Sequence, residues 1–383
     1  MRVSFVDALG NPWVASSVAV QIGDNTWEAL DPKETITFTL PKGETRYGLA
    51  YQCGPNTQVV HLTKEDAVDL TIKCLYAGPD QRVNVEISYD DTQIPGVTSR
   101  TLRTYIAGHH RAVLQSNPQT VSLPPGRGDI VLTLYNNGNP LATKVLYNQE
   151  VQEGTKLTFV FSEKDKFAGE GAVEAVRPPD GFSTGYLQLF FVTPLGSYVF
   201  EPLSGGLGER LSYPLVPSGT RGQYVAWVWA EDTQGHFLLT TTAFNGSSFA
   251  PAFATPFSPR VETSSVLPIV SGLSASGTAL IGYDFSVYWK PDPSASWQIV
   301  SAFASLRWLG QQDSYIVPDL SSAGFNGARP PSGVDAFYSA SAIFSAQDIL
   351  EILATSGGTT IVRTNTPNLD RKQAGVEGSY RVP

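Results

Sequence analysis

The chain has 383 residues, a formal net charge of −9 and only 16 % charged residues, with no basic run longer than Arg371-Lys372. Such a surface offers nothing to a phosphate backbone, which excludes nucleic-acid binding, and no run approaches the roughly 18 apolar residues of a spanning helix. Apolar residues make up 42 %, and 35 Gly with 27 Pro supply many turns, so two to four globular, turn-rich domains are expected.

Val3-Ser4-Phe5-Val6 opens the chain as a strand, and a Gly10-Asn11-Pro12 turn ends it. Ser17 to Ile22 and Thr35 to Leu40 alternate again, then Tyr47 to Cys53, Val59 to Leu62 and Val68 to Cys74. Short alternating runs at this density predict a small antiparallel sandwich over residues 1–76. One turn pattern then recurs: Leu40-Pro41-Lys42-Gly43, Leu123-Pro124-Pro125-Gly126 and Val216-Pro217-Ser218-Gly219, at intervals of 83 and 93 residues. Each feeds an apolar run, at Tyr47, Ile130 and Tyr224. A period of that length suits one sandwich rather than a solenoid unit. Repeats are therefore expected over 1–76, 77–166 and 167–258, with joints at the charged Ser162 to Lys166 and at the proline-rich Phe249 to Pro259.

Residues 259–383 differ. Ala279 to Trp289 and Trp297 to Phe303 read as strands, Ser345 to Leu353 as a short helix capped by Ser345, and the residues after Arg363 as a polar tail. The fold class expected is all-β, made of tandem small antiparallel Ig-like or transthyretin-like sandwiches, with one short helix in a divergent last domain.

Val6-Asp7, Gly10 and Pro12, then Phe38, Leu40-Pro41, Gly43, Tyr47 and Leu49, resemble the pattern of carboxypeptidase-regulatory-like, transthyretin-related sandwich domains of secreted bacterial proteins. The resemblance is reasonable over 1–76, partial over 77–166 and faint over 167–258. It implies a fold and a spacer, stabilising or adhesive role, not an activity.

Cys53 and Cys74, the only cysteines, end two strand candidates of the first unit and are expected to form a disulfide, closing a loop that would stabilise by roughly 3 kcal/mol. The alternative is two inert buried thiols. Of the four histidines, only His109 and His110 are adjacent, and successive strand residues face opposite ways, so no metal site is expected; His61 and His236 stand alone. Gly272-Leu273-Ser274-Ala275-Ser276-Gly277 lacks nucleophile-elbow spacing. Asp90-Asp91 is expected to serve a turn rather than calcium, and no cofactor is implied. Trp227 and Trp229 share a strand face, and with Trp289 and Trp308 they are either ligand-stacking aromatics or core.

No catalytic constellation emerges. The expected function is a non-enzymatic, extracytoplasmic modular protein that binds a protein partner or builds a surface assembly, in which a homo-oligomer has a place. Two alternatives stay open: a carbohydrate-binding or carbohydrate-active protein, and a phage or virus tail or fibre component. Met1 runs directly into a strand without a signal core, so export implies a leader replaced by this methionine, and a lipid anchor would belong to the same lost segment.

Overall fold

A computed structural model describes residues 1–7, 12–74, 82–95, 100–106, 110–277, 279–346, 349 and 370–383. The fold is all-β, and α1 (Leu306–Leu309) is the α-helix lying wholly within the described residues. The Ser305 hydroxyl caps it, accepting from the Trp308 amide at 3.1 Å.

The first segment contains β1 (Arg2–Asp7), β2 (Ser17–Ile22), β3 (Glu28–Leu30), β4 (Thr35–Thr37), β5 (Arg46–Gln52), β6 (Thr57–Thr63) and β7 (Asp69–Cys74). They divide into a small sheet ordered β4-β1-β7 and a four-stranded run β3-β2-β5-β6, with β1 parallel to β7. The second contains β8 (Val83–Asp90), β9 (Arg100–Ile106), β10 (His110–Leu114), β11 (Gln119–Leu123), β12 (Gly126–Asn136), β13 (Asn139–Val151) and β14 (Lys156–Val160). Its sheets are β11-β8-β14 and β10-β9-β12-β13, with β8 parallel to β14. In the third, β15 (Glu170–Val173), β16 (Thr184–Val192), β17 (Leu203–Gly206), β18 (Leu211–Pro214), β19 (Gln223–Glu231), β20 (His236–Phe244) and β21 (Ser248–Phe249) form β18-β15-β21 and β17-β16-β19-β20, with β15 parallel to β21.

Numbered one to seven within each segment, all three therefore share the order 4-1-7 over 3-2-5-6. The recurrent Pro-x-Gly turn sits each time between the fourth and fifth strands, where the chain crosses from the small sheet to the large. Gly43, Gly126 and Gly219 there have φ of 92°, 110° and 90°, a region closed to most L-residues, so the glycine of the motif is set by backbone geometry.

The fourth segment contains β22 (Arg260–Glu262), β23 (Ile269–Ser271), β24 (Leu280–Trp289), β25 (Gln298–Ser305), β26 (Ser314–Ile316), β27 (Asp335–Ser345) and β28 (Asp370–Arg381). Its order is different, β22-β23-β26 over β25-β24-β27-β28. The polar tail is corrected here, since β28 is a twelve-residue strand inside the largest sheet. Two glycines and five charged residues hide it in the sequence, and ladders to β20 and β27 on either side hold it. In the expected helix, Ser345 ends β27 instead, and the rest lies outside the described residues apart from Ala346 and Ile349.

The segments do not lie in chain order. Three four-stranded runs join edge to edge as one twelve-stranded sheet, β17-β16-β19-β20-β28-β27-β24-β25-β6-β5-β2-β3. The fourth segment thus sits between the third and the first, with β28 antiparallel to β20 and β25 parallel to β6. The sixth strands β20 and β6 would otherwise be bare edges, and this arrangement satisfies their ladder groups.

Covering layers alternate sides of this sheet. On one face the row Glu231, Phe237, Gly375, Ser341, Asp284, Phe303, Val60, Leu49, Val20 runs across the strands. Its Phe303-to-Val20 end packs under β4-β1-β7 in a core with Val3, Phe5 and Leu70. The opposite face is covered by β22-β23-β26 and β18-β15-β21, through Val270 and Tyr315 in one core and Val173 and Tyr213 in another. Among the described residues no strand covers the first face from Asp284 to Glu231.

Cys53 and Cys74 are joined, Sγ to Sγ at 1.97 Å, tying the large sheet to the small one. Phe257 of the proline-rich segment is buried in the fourth core, and the Thr240 hydroxyl donates to the Ala252 carbonyl at 3.0 Å. The second segment docks on the third: buried Asp129 accepts from the Leu195 amide at 2.9 Å, and the Tyr135 hydroxyl accepts from the Glu201 amide at 3.0 Å.

Candidate functional site

The uncovered face holds a groove of about 530 Å³ that crosses six strands from β19 to β25. At a strand spacing of about 4.8 Å this makes it roughly 24 Å wide. Its two ends are aromatic. On β19 and β20, Trp229 and Phe237 stack with centroids 4.9 Å apart and planes at 6°, and Trp227 lies 6.3 Å behind Trp229. At the far end Tyr288 and Phe337 stack at 5.3 Å, and Trp297, 41 % exposed, meets both edge-on while Lys290 lies over its ring.

Between them the floor is polar. Period-two alternation puts Asp284 and Ser286 of β24, Ser339 and Ser341 of β27, and Gln373 and Glu377 of β28 on this face. Gln373 reaches Ser341 with its amide nitrogen at 3.4 Å, while its Oε1 has no partner among the described residues. The same holds for Nε of buried Arg371 and for the Thr241 hydroxyl on the neighbouring rows. Buried polar atoms without partners are costly in a finished fold, and their clustering beside a groove fits a surface whose hydrogen bonds are completed by a ligand.

Burial raises Asp284 to about 6 against the pull of the Arg371 charge. Glu377 is also raised, by burial and by the nearby Glu231 carboxylate. Between about pH 4 and 6 the folded chain keeps a proton on Asp284 that the unfolded chain releases. This group's contribution to stability is therefore complete below about pH 4 and lost as pH rises through about 6. Asp284→Asn removes that dependence, so its melting temperature relative to the parent should climb from pH 4 to pH 7; a difference that stays flat in differential scanning calorimetry would refute the assignment.

The predicted site residues separate. Trp229 is half-exposed at the groove, and Trp227 is buried beside it. Trp289, 1 % exposed, points to the opposite face and fills the fourth core, out of a ligand's reach. Trp308 is buried at the junction of the first and fourth segments. Tyr288 and Trp297 belong to the aromatic-rich strand candidates Ala279 to Trp289 and Trp297 to Phe303 that the sequence offers, whereas Phe237 and Phe337 were not singled out.

His236 bonds Asp232 through Nδ1 at 2.7 Å and serves its own turn. His109 lies outside the described residues, and His110 begins β10. Asp90 accepts from the Thr92 amide and hydroxyl at 3.0 and 2.7 Å, which holds its carboxyl below the usual range. Among the described residues no three His, Cys, Asp or Glu side chains are grouped to hold a metal, and no helix is long and apolar enough to cross a membrane.

No protein-family model and no curated protein matches the chain. Among solved structures, a Bacteroides ovatus protein proposed as an adhesin is similar at 12 % identity over 45 % of this chain and 89 % of its own, with a TM-score of 0.19. A Ca2+-stabilized adhesin with which an Antarctic bacterium binds ice aligns over 97 % and 91 % at 12 % identity and a TM-score of 0.16. A tetra-tandem repeat from the extending region of a large adhesion protein aligns over 100 % and 99 % at 11 % identity, with a TM-score of 0.17. Scores this low mean that the chains do not superpose as wholes, so these proteins say nothing of what this chain binds.

Proposed function

We propose that the chain is a non-enzymatic, extracytoplasmic binding protein of a cell surface or surface assembly, and that it holds a glycan in the sheet-face groove. The observation that carries this reading is the pairing of aromatic platforms at both ends with a hydroxyl, amide and carboxyl floor between them. Sugar rings present apolar C–H faces and hydroxyl edges, and such a groove meets both. The Cys53–Cys74 bond supports an oxidising compartment. Three segments of one strand order, residues 1–76, 77–166 and 167–258, act as transthyretin-like sandwich modules, and 259–383 is the module that joins the first to the third.

A glycan array on the intact protein tests the reading. Binding is expected, with Trp229→Ala and Trp297→Ala each lowering affinity at least tenfold while the melting temperature changes little, because both rings are partly in solvent. An array without hits, or affinity indifferent to both variants, defeats the glycan assignment. Asp284 and Glu377 are the two carboxyls a hydrolase would use; turnover of a bound glycan, abolished by Asp284→Asn or Glu377→Gln, would overthrow the non-enzymatic one.

A further inference from the structure

On the opposite face of the great sheet, the row that begins Ala230, Leu238, Ala374, Ala342, Tyr283, Ala304 continues into His61, Gly48 and Gln21. The first six pack under covering strands; of the last three, His61 and Gln21 line a cleft of about 1030 Å³ between the first and fourth segments. Trp27 lies on the sheet there, and the absence of a side chain at Gly48 makes room for it, since a Cβ would stand 2.7 Å from the indole. His61 meets Trp27 edge-on at 5.6 Å, Trp308 at 4.1 Å and Tyr315 at 5.5 Å. Tyr315 is held by a stack on Phe285 at 4.2 Å.

Within this aromatic cluster both ring nitrogens of His61, Trp308 Nε1, the Tyr315 hydroxyl and Gln21 Oε1 have no hydrogen-bond partner among the described residues. His61, Trp308 and Tyr315 are 3 %, 8 % and 4 % exposed, so solvent does not complete them. Core packing explains none of this, because a core would use phenylalanine at Tyr315 and leave no donor unpaired. The charged side chains that line the cleft are already matched: Asp24 with Arg46 at 2.7 Å, and Asp319 with Arg329 at 2.8 Å. His61 is kept neutral as well, since burial lowers it to about 3.

We propose that this cleft is a second ligand site, distinct from the groove, which takes an uncharged, hydroxyl-bearing ring such as a neutral sugar residue. The ring's C–H face lies against the aromatic wall, and its hydroxyls accept from Trp308 Nε1–H and Tyr315 O–H and exchange hydrogen bonds with His61 and Gln21. A charged ligand gains no counter-ion there and loses its hydration.

Titration calorimetry and tryptophan fluorescence on the full chain test this, with glucose, galactose, mannose and N-acetylglucosamine as neutral probes and glucuronic acid, glucosamine and choline as charged ones. At least one neutral probe should bind and the charged ones should not. Tyr315→Phe and Trp308→Phe should each lower that affinity about tenfold. Tyr315→Phe should leave the melting temperature unchanged or higher, since it removes a hydroxyl with no partner. Trp229→Ala, which disables the groove, should leave this binding intact. The proposal is overturned if no neutral probe binds, if a charged probe binds as well, if neither Phe variant weakens binding, or if Trp229→Ala alone abolishes it, which would assign the probe to the groove.

Discussion

Gly375→Ala should cost at least the roughly 3 kcal/mol at the upper end of core overpacking, although it adds one methyl group. Gly375 lies in β28 between Phe237 of β20 and Ser341 of β27, at the centre of the twelve-stranded sheet. A Cβ there would collide with the Ala340 carbonyl oxygen and stand 2.6 Å from Ser341 Cβ and 2.7 Å from Ser341 Cα. Two of these three atoms are backbone, so no rotamer change relieves the clash, and β27 must move away from β28. The third and fourth segments are joined through β28, so limited proteolysis of the variant should release the third segment earlier than in the parent. Chemical denaturation giving a loss under 0.5 kcal/mol, with an unchanged digestion course, would show that the sheet is not tightly closed at this point.

Trp289→Ala should destabilise the protein by about 3–5 kcal/mol. Its indole is the largest fully buried side chain, in register with Gln298 of β25 and Ala336 of β27 and facing the core beneath β22-β23-β26. Its cross-strand neighbour Ala336 is small, and a close-packed core relaxes only partly around a deleted side chain, so much of the vacated volume stays open. Glycan affinity of whatever remains folded should match the parent's, because Trp289 faces away from the groove. A variant as stable as the parent that has lost glycan binding would instead make Trp289 a contact residue.

The recurrent turn was the most legible part of the chain, for a backbone reason. Each Pro-x-Gly marks a crossing between layers at which only glycine is comfortable, and the three crossings fall at one topological position. Cys53 and Cys74 were legible through their places at strand ends. By contrast, β28 was not, because Asp370, Arg371, Lys372, Gln373 and Glu377 outweigh the Ala374, Val376 and Tyr380 that it gives to the core, and ladders to two neighbouring strands help to secure it.

The order of the segments in space was equally hidden. β20 meets β28 and β6 meets β25 through main-chain groups, which every residue carries, so side-chain patterns gave no sign of the pairing. For the groove, period-two reading placed Trp227 and Trp229 on one face but could not say that Phe237, Tyr288 and Gln373 share it. That needs the register of six strands drawn from two segments. His61 read as a lone histidine because its partners in the cleft, Trp308 and Tyr315, are more than 240 residues away.

The edge-to-edge joining of the three runs also sets when the molecule can be finished. β6 meets its neighbour only once Gln298–Ser305 exists, and β20 only once Asp370–Arg381 exists. While the chain is being made, the first and third sandwiches each carry a complete seven-strand order with one naked flank. Contacts of such long sequence separation form late and slowly. Strand flanks left bare in the meantime invite pairing with other chains. Truncations that end before β28 should therefore fail by aggregation through β20 rather than by loss of the individual sandwiches, and yield should fall steeply with concentration during refolding.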